Sequence, residues 1–333
     1  MDGGRELNAH WHRLDSKKWE LLGTALAKNT INTYKSSIRQ YLRFCQTVGV
    51  SPLPLTEPIL ENFCTYLLPL VGHGSMETYL NGVQCWSKMN GFKEEKKFME
   101  RLKYVLMGIQ RVQGQTHVRP LRPPITWVRL NSIMAFIRYT ESGYMQRLLS
   151  AVVLVGFFGM LRVSEFTSPS PFYFNHAIHL TAKDVHIDFN RNLALVFIKY
   201  SKTDQFGVGT TVRIARLNHP LCPVLALHSY LQLRGTQEGP LFLFPDGFYF
   251  TRADLCRLLS RALPLVPHVN THSLRRGGAS ALAAAGVSHE IIKALGRWKS
   301  DAYKRYIELS DFSVISSFNS APEVRQGRET GNR

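Results

Sequence analysis

From Ala27 onward the apolar positions fall at helical spacing. Ile31, Tyr34, Ile38, Tyr41, Leu42 and Cys45 lie along one face, and Lys28, Lys35, Arg39 and Arg43 lie along another. Asn29 and Thr30 are suited to cap the start, and Gly49 with Pro52 ends the helix. Further helices are expected over Glu57–Leu68, Ser75–Met89 and Lys97–Gln113, so that four helices with short connections make one compact unit. The stretch from Gln113 to Pro124 then loses apolar periodicity and carries three prolines. Such text resists both helix and sheet and marks a linker.

Beyond the linker the pattern is mixed. Helices are expected over Trp127–Tyr139 and Met145–Phe166. Strand-like alternation or β-branched text follows over His179–Ile187, Leu193–Tyr200 and Thr210–Leu217. The segment Ser201-Lys-Thr-Asp-Gln-Phe-Gly-Val-Gly209 reads as the turn of a small antiparallel hairpin. Helical text returns over Val224–Leu233, Arg252–Leu263, His272–Ala285, His289–Leu295 and Asp301–Leu309. The expected fold is mainly α with a small antiparallel β-sheet. Its organisation is a flexible arm over 1–22, a helical unit over 23–113, a linker over 114–125, an α+β unit over 126–318 and a disordered tail over 319–333. No internal repeat is evident.

Charge changes the picture most. With 41 Lys and Arg against 24 Asp and Glu, the net charge is +17, which implies a polyanionic partner, most often nucleic acid. A stripe such as Lys28, Lys35, Arg39 and Arg43 is commonly only a solvated face, but in so basic a chain it is an equally good DNA-facing stripe. The longest apolar run, Leu148 to Leu161, falls short of the roughly 20 residues a membrane helix needs, so it is expected to be a core helix and no membrane partner is expected. The opening Met-Asp-Gly-Gly-Arg-Glu lacks the apolar stretch of a secretory signal, so none is expected. The five cysteines are scattered without a C-x-x-C pair and read as free thiols rather than a disulfide or zinc framework.

Several residues in this setting could carry phosphate chemistry. Arg162 ends the apolar run, and a guanidinium there needs an anionic partner. Glu165 can supply one at i,i+3, which fits a structural ion pair as well as a site that keeps donors free for a phosphate. Lys202, in the hairpin turn, is either a solvated turn residue or a mobile general acid; Lys199 competes with it. His272 and Arg275 share a helical face. His272 could bond a phosphate oxygen, accept a nucleophile's proton, or merely bond backbone at a helix start. Trp298 has an indole N–H to offer a phosphate. Tyr306 and Tyr303 are alternative nucleophiles or core residues, and a phenol with a pKa near 10 needs cations or a base nearby to attack at neutral pH.

The ordered set Arg162, Lys202, His272-x-x-Arg275, Arg297/Trp298, Tyr306 resembles the tyrosine recombinase (phage integrase) family over nearly the whole chain. The resemblance implies a helical core-binding domain and an α+β catalytic domain that clamp double-stranded DNA. It implies attack by a tyrosine to give a 3′-phosphotyrosyl link, without metal or nucleotide cofactor, in a homo-oligomer of two to four copies assembled on DNA. Tyr306 lies nine residues after Arg297, the family's usual register, whereas Tyr303 comes three too early. The family has His or Trp where ungapped alignment puts Arg297; residue type points to Trp298 instead. The Lys-Thr-Asp-Gln-Phe-Gly and Gly-Arg-Trp variants are similar to the DIRS-type and crypton branch of eukaryotic mobile elements, which implies a nuclear location. The competing expectation is a catalytically silent DNA-binding regulator derived from such a recombinase.

Overall fold

The computed structural model describes residues 14–306 apart from 15, 19, 22, 93–99, 115–122, 203, 205 and 206, and excluding the side chains of Lys28, Ala302, Arg305 and Tyr306. The arm, linker and tail expected at 1–22, 114–125 and 319–333 lie wholly or largely outside these residues. The chain divides into two compact units, 1–119 and 120–333.

Unit one holds α1 (Lys28–Val48), α2 (Glu57–Leu67), α3 (His73–Met89) and α4 (Glu100–Gly114). Tyr41, Phe63, Leu67, Met76 and Val83 form its fully buried centre. Three polar links tie the helix ends. Tyr41 donates its hydroxyl to the Pro52 carbonyl at 3.0 Å. Glu57 accepts from the amides of Arg101 and Leu102 at the start of α4, where an anion also suits the helix dipole. Buried Gln113 accepts from the His73 amide and donates to the carbonyls of Leu68 and Val71. Two expectations for α1 are corrected. Asn29 and Thr30 lie inside the helix, whose N-cap is Ala27 without a side-chain bond. Leu42 is 40% exposed, so the apolar face is narrower than its spacing suggests. Gly49 does end the helix, in the left-handed conformation.

Unit two begins with α5 (Trp127–Thr140), capped by the Thr126 hydroxyl, and α6 (Gly143–Phe158). From Leu148 to Phe157 nearly every residue of α6 is buried, which explains its unbroken apolar text. The expected helix Met145–Phe166 is two elements. The chain breaks at Gly159 and at Met160, whose φ is +43°, and restarts as the short α7 (Val163–Phe166). A three-stranded antiparallel sheet, order β1-β2-β3, follows: β1 Val185–Asp188, β2 Leu193–Ile198 and β3 Thr210–Ala215. The expected first strand is shorter because Thr181 and Asp184 make a reciprocal cap around a 3-10 turn at Ala182–Asp184. Ala194, Val196 and Ile198 turn inward together with Val212 and Ile214, as alternation requires.

The helices α8 (Pro223–Arg234), α9 (Arg252–Ala262), α10 (Thr271–Ala284) and α11 (His289–Leu295) complete the unit. The final expected helix, Asp301–Leu309, is a 3-10 turn over Asp301–Tyr306, and its remainder lies outside the described residues. Gly277 and Gly278 let α10 approach closely, since a Cβ there would collide with the carbonyls of Ile125 and Phe157. That approach sets α10 beside the break before Arg162. Among the described residues no helix is long and apolar enough to cross a membrane.

Candidate active site

The break after α6 makes Arg162 the N-cap of α7 rather than the end of a long helix. Glu165 sits at the third position of α7 and accepts from the Arg162 amide at 2.8 Å and from Arg162 Nη1 at 2.9 Å. Its side chain is 1% exposed and receives a second guanidinium, Arg297 Nη2, at 2.7 Å. One buried carboxylate therefore holds two arginines separated by a long stretch of chain.

Arg297 reaches Glu165 because of how α11 ends. The Trp298 amide bonds to the Lys293 carbonyl at 3.1 Å and the Arg297 amide to the Ala294 carbonyl at 3.0 Å. That is a Schellman closure, in which the residue just past the helix is left-handed and is usually glycine. Here Gly296 is still right-handed, with φ −79°, and Arg297 takes the left-handed place, with φ +57°. A side chain there costs about 1 kcal/mol or more, and such strain persists where surrounding contacts fix it. Gly296 is needed for another reason: a Cβ would run into the Trp298 ring.

Arg297 is largely buried yet under-bonded. Its Nε and Nη1 are buried with no hydrogen-bond partner among the described residues. Burial, and the neighbouring Arg162 charge, lower its pKa, while Glu165 opposes the shift. Two orphaned donors on a buried cation cost a few kcal/mol unless an anion fills the place.

Arg275 is 4% exposed and ties the two segments together, donating to the carbonyl of Met160, two residues before Arg162, and to that of Gly296, next to Arg297. The Trp298 ring lies 4.4 Å from its guanidinium carbon, a cation–π contact. Trp298 also packs on Tyr303, with ring centroids 5.8 Å apart. Arg297 and Trp298 thus face different partners: Arg297 joins Arg162 at Glu165, and Trp298 covers Arg275. His272 stands exposed in the first turn of α10, its amide bonded to Asn270 Oδ1 at 2.9 Å. Arg276, beside Arg275, is itself 5% exposed, so its replacement would perturb packing.

The two lysines separate clearly. Lys199 is held by Asp184 at 2.7 Å and by the carbonyls of His176 and His179. Lys202 is exposed, in the turn beyond β2. The tyrosines separate as well. Tyr303 is 3% exposed in a small core with Met160, Ala279 and Ile292, and its hydroxyl lies 3.4 Å from His289 Nδ1. The backbone of Tyr306 closes the 3-10 turn at Asp301–Tyr306, and its side chain lies outside the described residues. Beside Arg297 opens a cavity of about 620 Å³, lined by Ser201, Asp204 and Thr210 from the Lys202 connection and by Lys293, Trp298 and Lys299 from the α11 end. In the sequence Asp204 reads only as a turn former; its place two residues past Lys202 and five before Gly209 is the signal that points to a turn-closing role.

No protein-family profile matches the chain. A curated relative, the integrase/recombinase xerD homolog of Selenomonas ruminantium, is 25% identical over 324 residues, covering 92% of this chain and 89% of the relative. Among solved structures, the Tn1549 transposon integrase in complex with transposon right end DNA superposes with a TM-score of 0.59 at 15% identity, over 92% of this chain and 98% of that one. The XerH site-specific recombinase bound to a palindromic difH substrate gives 0.59 at 15% identity, over 87% and 79%. A lambda integrase dimer bound to a COC′ core site gives 0.55 at 14%, over 89% and 76%. The chain is thus similar in sequence to an integrase/recombinase homolog and shares the fold of these DNA-bound integrases and recombinases.

In unit one, Lys35, Arg39 and Arg43 are exposed along α1, and the side chain of Lys28 lies outside the described residues.

Proposed function

We propose that this chain is a tyrosine recombinase that cleaves and rejoins double-stranded DNA at specific sites, with Arg297 among the residues that hold the scissile phosphate. One observation carries the proposal: Arg162 and Arg297 converge on one buried carboxylate while two buried donors of Arg297 have no partner among the described residues. A phosphodiester is the anion that planar guanidinium forks match best.

In this reading the Tyr306 oxygen attacks phosphorus and its proton passes to His272. The P–O5′ bond breaks as Lys202 protonates the leaving oxygen, and charge on the non-bridging oxygens falls to Arg162, Arg275, Arg297 and His272. Donors already fixed where charge develops supply the largest share of such rate enhancements. Trp298 acts through Arg275, whose plane it covers, and Glu165 orients the two arginines. The phosphotyrosyl link conserves the energy of the broken bond for the reverse step.

Unit one would serve as the core-binding domain, with Lys28, Lys35, Arg39 and Arg43 on the phosphate backbone. Replacing Lys35, Arg39 and Arg43 together by Ala should lower the salt dependence of binding by about one unit of log–log slope per charge. An unchanged slope would remove α1 from the interface. The Lys-Thr-Asp-Gln-Phe-Gly and Gly-Arg-Trp segments support a place in the DIRS-type or crypton branch, acting in the nucleus as a dimer to tetramer on DNA.

The decisive test is covalent trapping on a pool of nicked DNA substrates. Wild type and Tyr303→Phe, once shown to be folded, should form the adduct and Tyr306→Phe should not. An adduct that survives Tyr306→Phe and is lost in folded Tyr303→Phe would reverse the assignment. Tight, site-selective binding with no adduct on the bound sites would instead favour a silent DNA-binding regulator.

A further inference from the structure

The connection between β2 and β3, residues 199–209, carries the lysine of the proposed mechanism, and long exposed connections are poor platforms for a precisely placed acid. This one is closed by a clamp. The Asp204 amide donates to the Ser201 carbonyl at 3.0 Å, and Ser201 and Asp204 pair as an isolated antiparallel bridge, so Lys202 sits inside a tight turn. The carboxylate of the same Asp204 reaches the returning limb. Oδ1 accepts from the Val208 amide at 3.2 Å and Oδ2 from the Gly209 amide at 2.7 Å. Gly209 is left-handed, with φ +78°, and a Cβ there would strike the Phe197 ring of β2. The base of the turn is anchored too: Ser201 is 7% exposed, and the last ladder pair, Ile198 with Thr210, lies just before it. Lys202 is exposed, and the residues held around it are Ser201 and Asp204. Asp204 and Ser201 also line the cavity of about 620 Å³ that Arg297 and Trp298 border, which puts the clamp beside one of the proposed phosphate ligands.

We propose that Asp204 is a positioning residue for the leaving-group step: its carboxylate fixes the Lys202 turn so that the ammonium stands over the departing 5′-oxygen. This rests on the phosphotyrosyl reading above. Tyr306 forms the new O–P bond, the P–O5′ bond breaks, and the proton from Lys202 leaves a free 5′-hydroxyl. Lys202 becomes a neutral amine. Asp204 makes no contact with DNA and transfers no proton itself. A carboxylate accepting two amide bonds is the component that a neutral or shorter side chain would loosen.

The test compares single-turnover cleavage of two suicide substrates, one with the natural 5′-oxygen and one with a bridging 5′-sulfur at the scissile position. A thiolate leaves without a proton, so the sulfur substrate bypasses any general acid. On the oxygen substrate Asp204→Ala should slow cleavage on the order of 100-fold, in the range general acids supply, and Lys202→Ala at least as much. On the sulfur substrate both should return to within about threefold of wild type. Asp204→Asn, which keeps the shape and one acceptor oxygen, should fall between wild type and Ala on the oxygen substrate only, and it serves if Asp204→Ala does not fold. Equal slowing on both substrates would overturn the proposal, because Asp204 would then support the fold or the phosphate site in general. Wild-type rates on the oxygen substrate would overturn it as well. If Lys202→Ala itself is not rescued by sulfur, the underlying assignment of Lys202 fails, and that result is distinguishable from failure of the clamp.

Discussion

Two buried arginines of unit two solve the same problem in opposite ways. Arg234, at the end of α8, is 3% exposed and spends its donors on backbone: Nε on the Leu241 carbonyl, Nη1 on Gly235, and Nη2 on Gly239 and Pro240. Arg297 has a side chain only 15% exposed, is itself left-handed, bonds Glu165 through one nitrogen and has two others without a partner among the described residues. Burying a cation is costly in either place. Arg234 recovers the cost within the fold, whereas Arg297 does not. A buried cation kept strained and under-bonded among the described residues is the ground for the proposal that Arg297 receives a phosphate.

The sharpest way to break that contrast is to remove the anion that anchors it. Glu165→Ala leaves the Arg162 and Arg297 guanidiniums buried without their carboxylate, and it should destabilise unit two by about 3–5 kcal/mol in denaturant unfolding. A loss below about 1 kcal/mol would show that the arginines relax into solvent and that the cluster is not preorganised. Next in size is Arg234→Ala, which removes the Arg234 donors from the carbonyls of Pro240 and Leu241 and leaves Leu241 to the Tyr230 hydroxyl. It should cost about 2–4 kcal/mol while adduct formation per folded molecule stays near wild type. Activity lost at full stability would make Arg234 a functional residue and erase the comparison. Gly296→Ala is expected to cost about 1–3 kcal/mol by displacing Trp298 from Arg275, which an unaltered melting curve and tryptophan fluorescence would contradict.

The sequence already showed most of the frame. Helical periodicity located α1 to α4 and α8 to α11 to within a few residues, because each has one face to bury. It failed where local geometry overrides periodicity. The run Leu148–Leu161 reads as continuous helix because α6 is buried almost all round, so apolar residues continue through the break at Met160 with no change of texture. The excess strand before Val185 was avoidable, since Thr181-x-x-Asp184 is a capping pattern. The choice between Arg297 and Trp298 was not open to sequence reasoning. A reader expects glycine at the left-handed position after a helix and would place Gly296 there; close contact with the Trp298 ring reserves that glycine and shifts the left-handed turn onto Arg297. The preference for Lys202 over Lys199 could be argued only weakly from the chain; in the structure Lys199 is engaged by Asp184, whereas Lys202 is exposed. Tyr303 and Tyr306 differ in text by register alone, and the burial of Tyr303 against Trp298 and His289 is a tertiary fact.

The most direct measurement is covalent-adduct formation by Arg297→Met on nicked DNA, taken with the unfolding free energy of the same preparation. The account predicts a rate lower by about 100- to 1,000-fold, the usual loss for one preorganised donor of developing charge. It also predicts a stability change within about 1 kcal/mol, because the buried Glu165 keeps both of its bonds from Arg162 while an under-bonded cation gives way to an apolar chain of similar length. A variant that is destabilised by several kcal/mol yet still forms the adduct at the wild-type rate would show that Arg297 is a structural arginine like Arg234, and the phosphate site would have to be sought elsewhere.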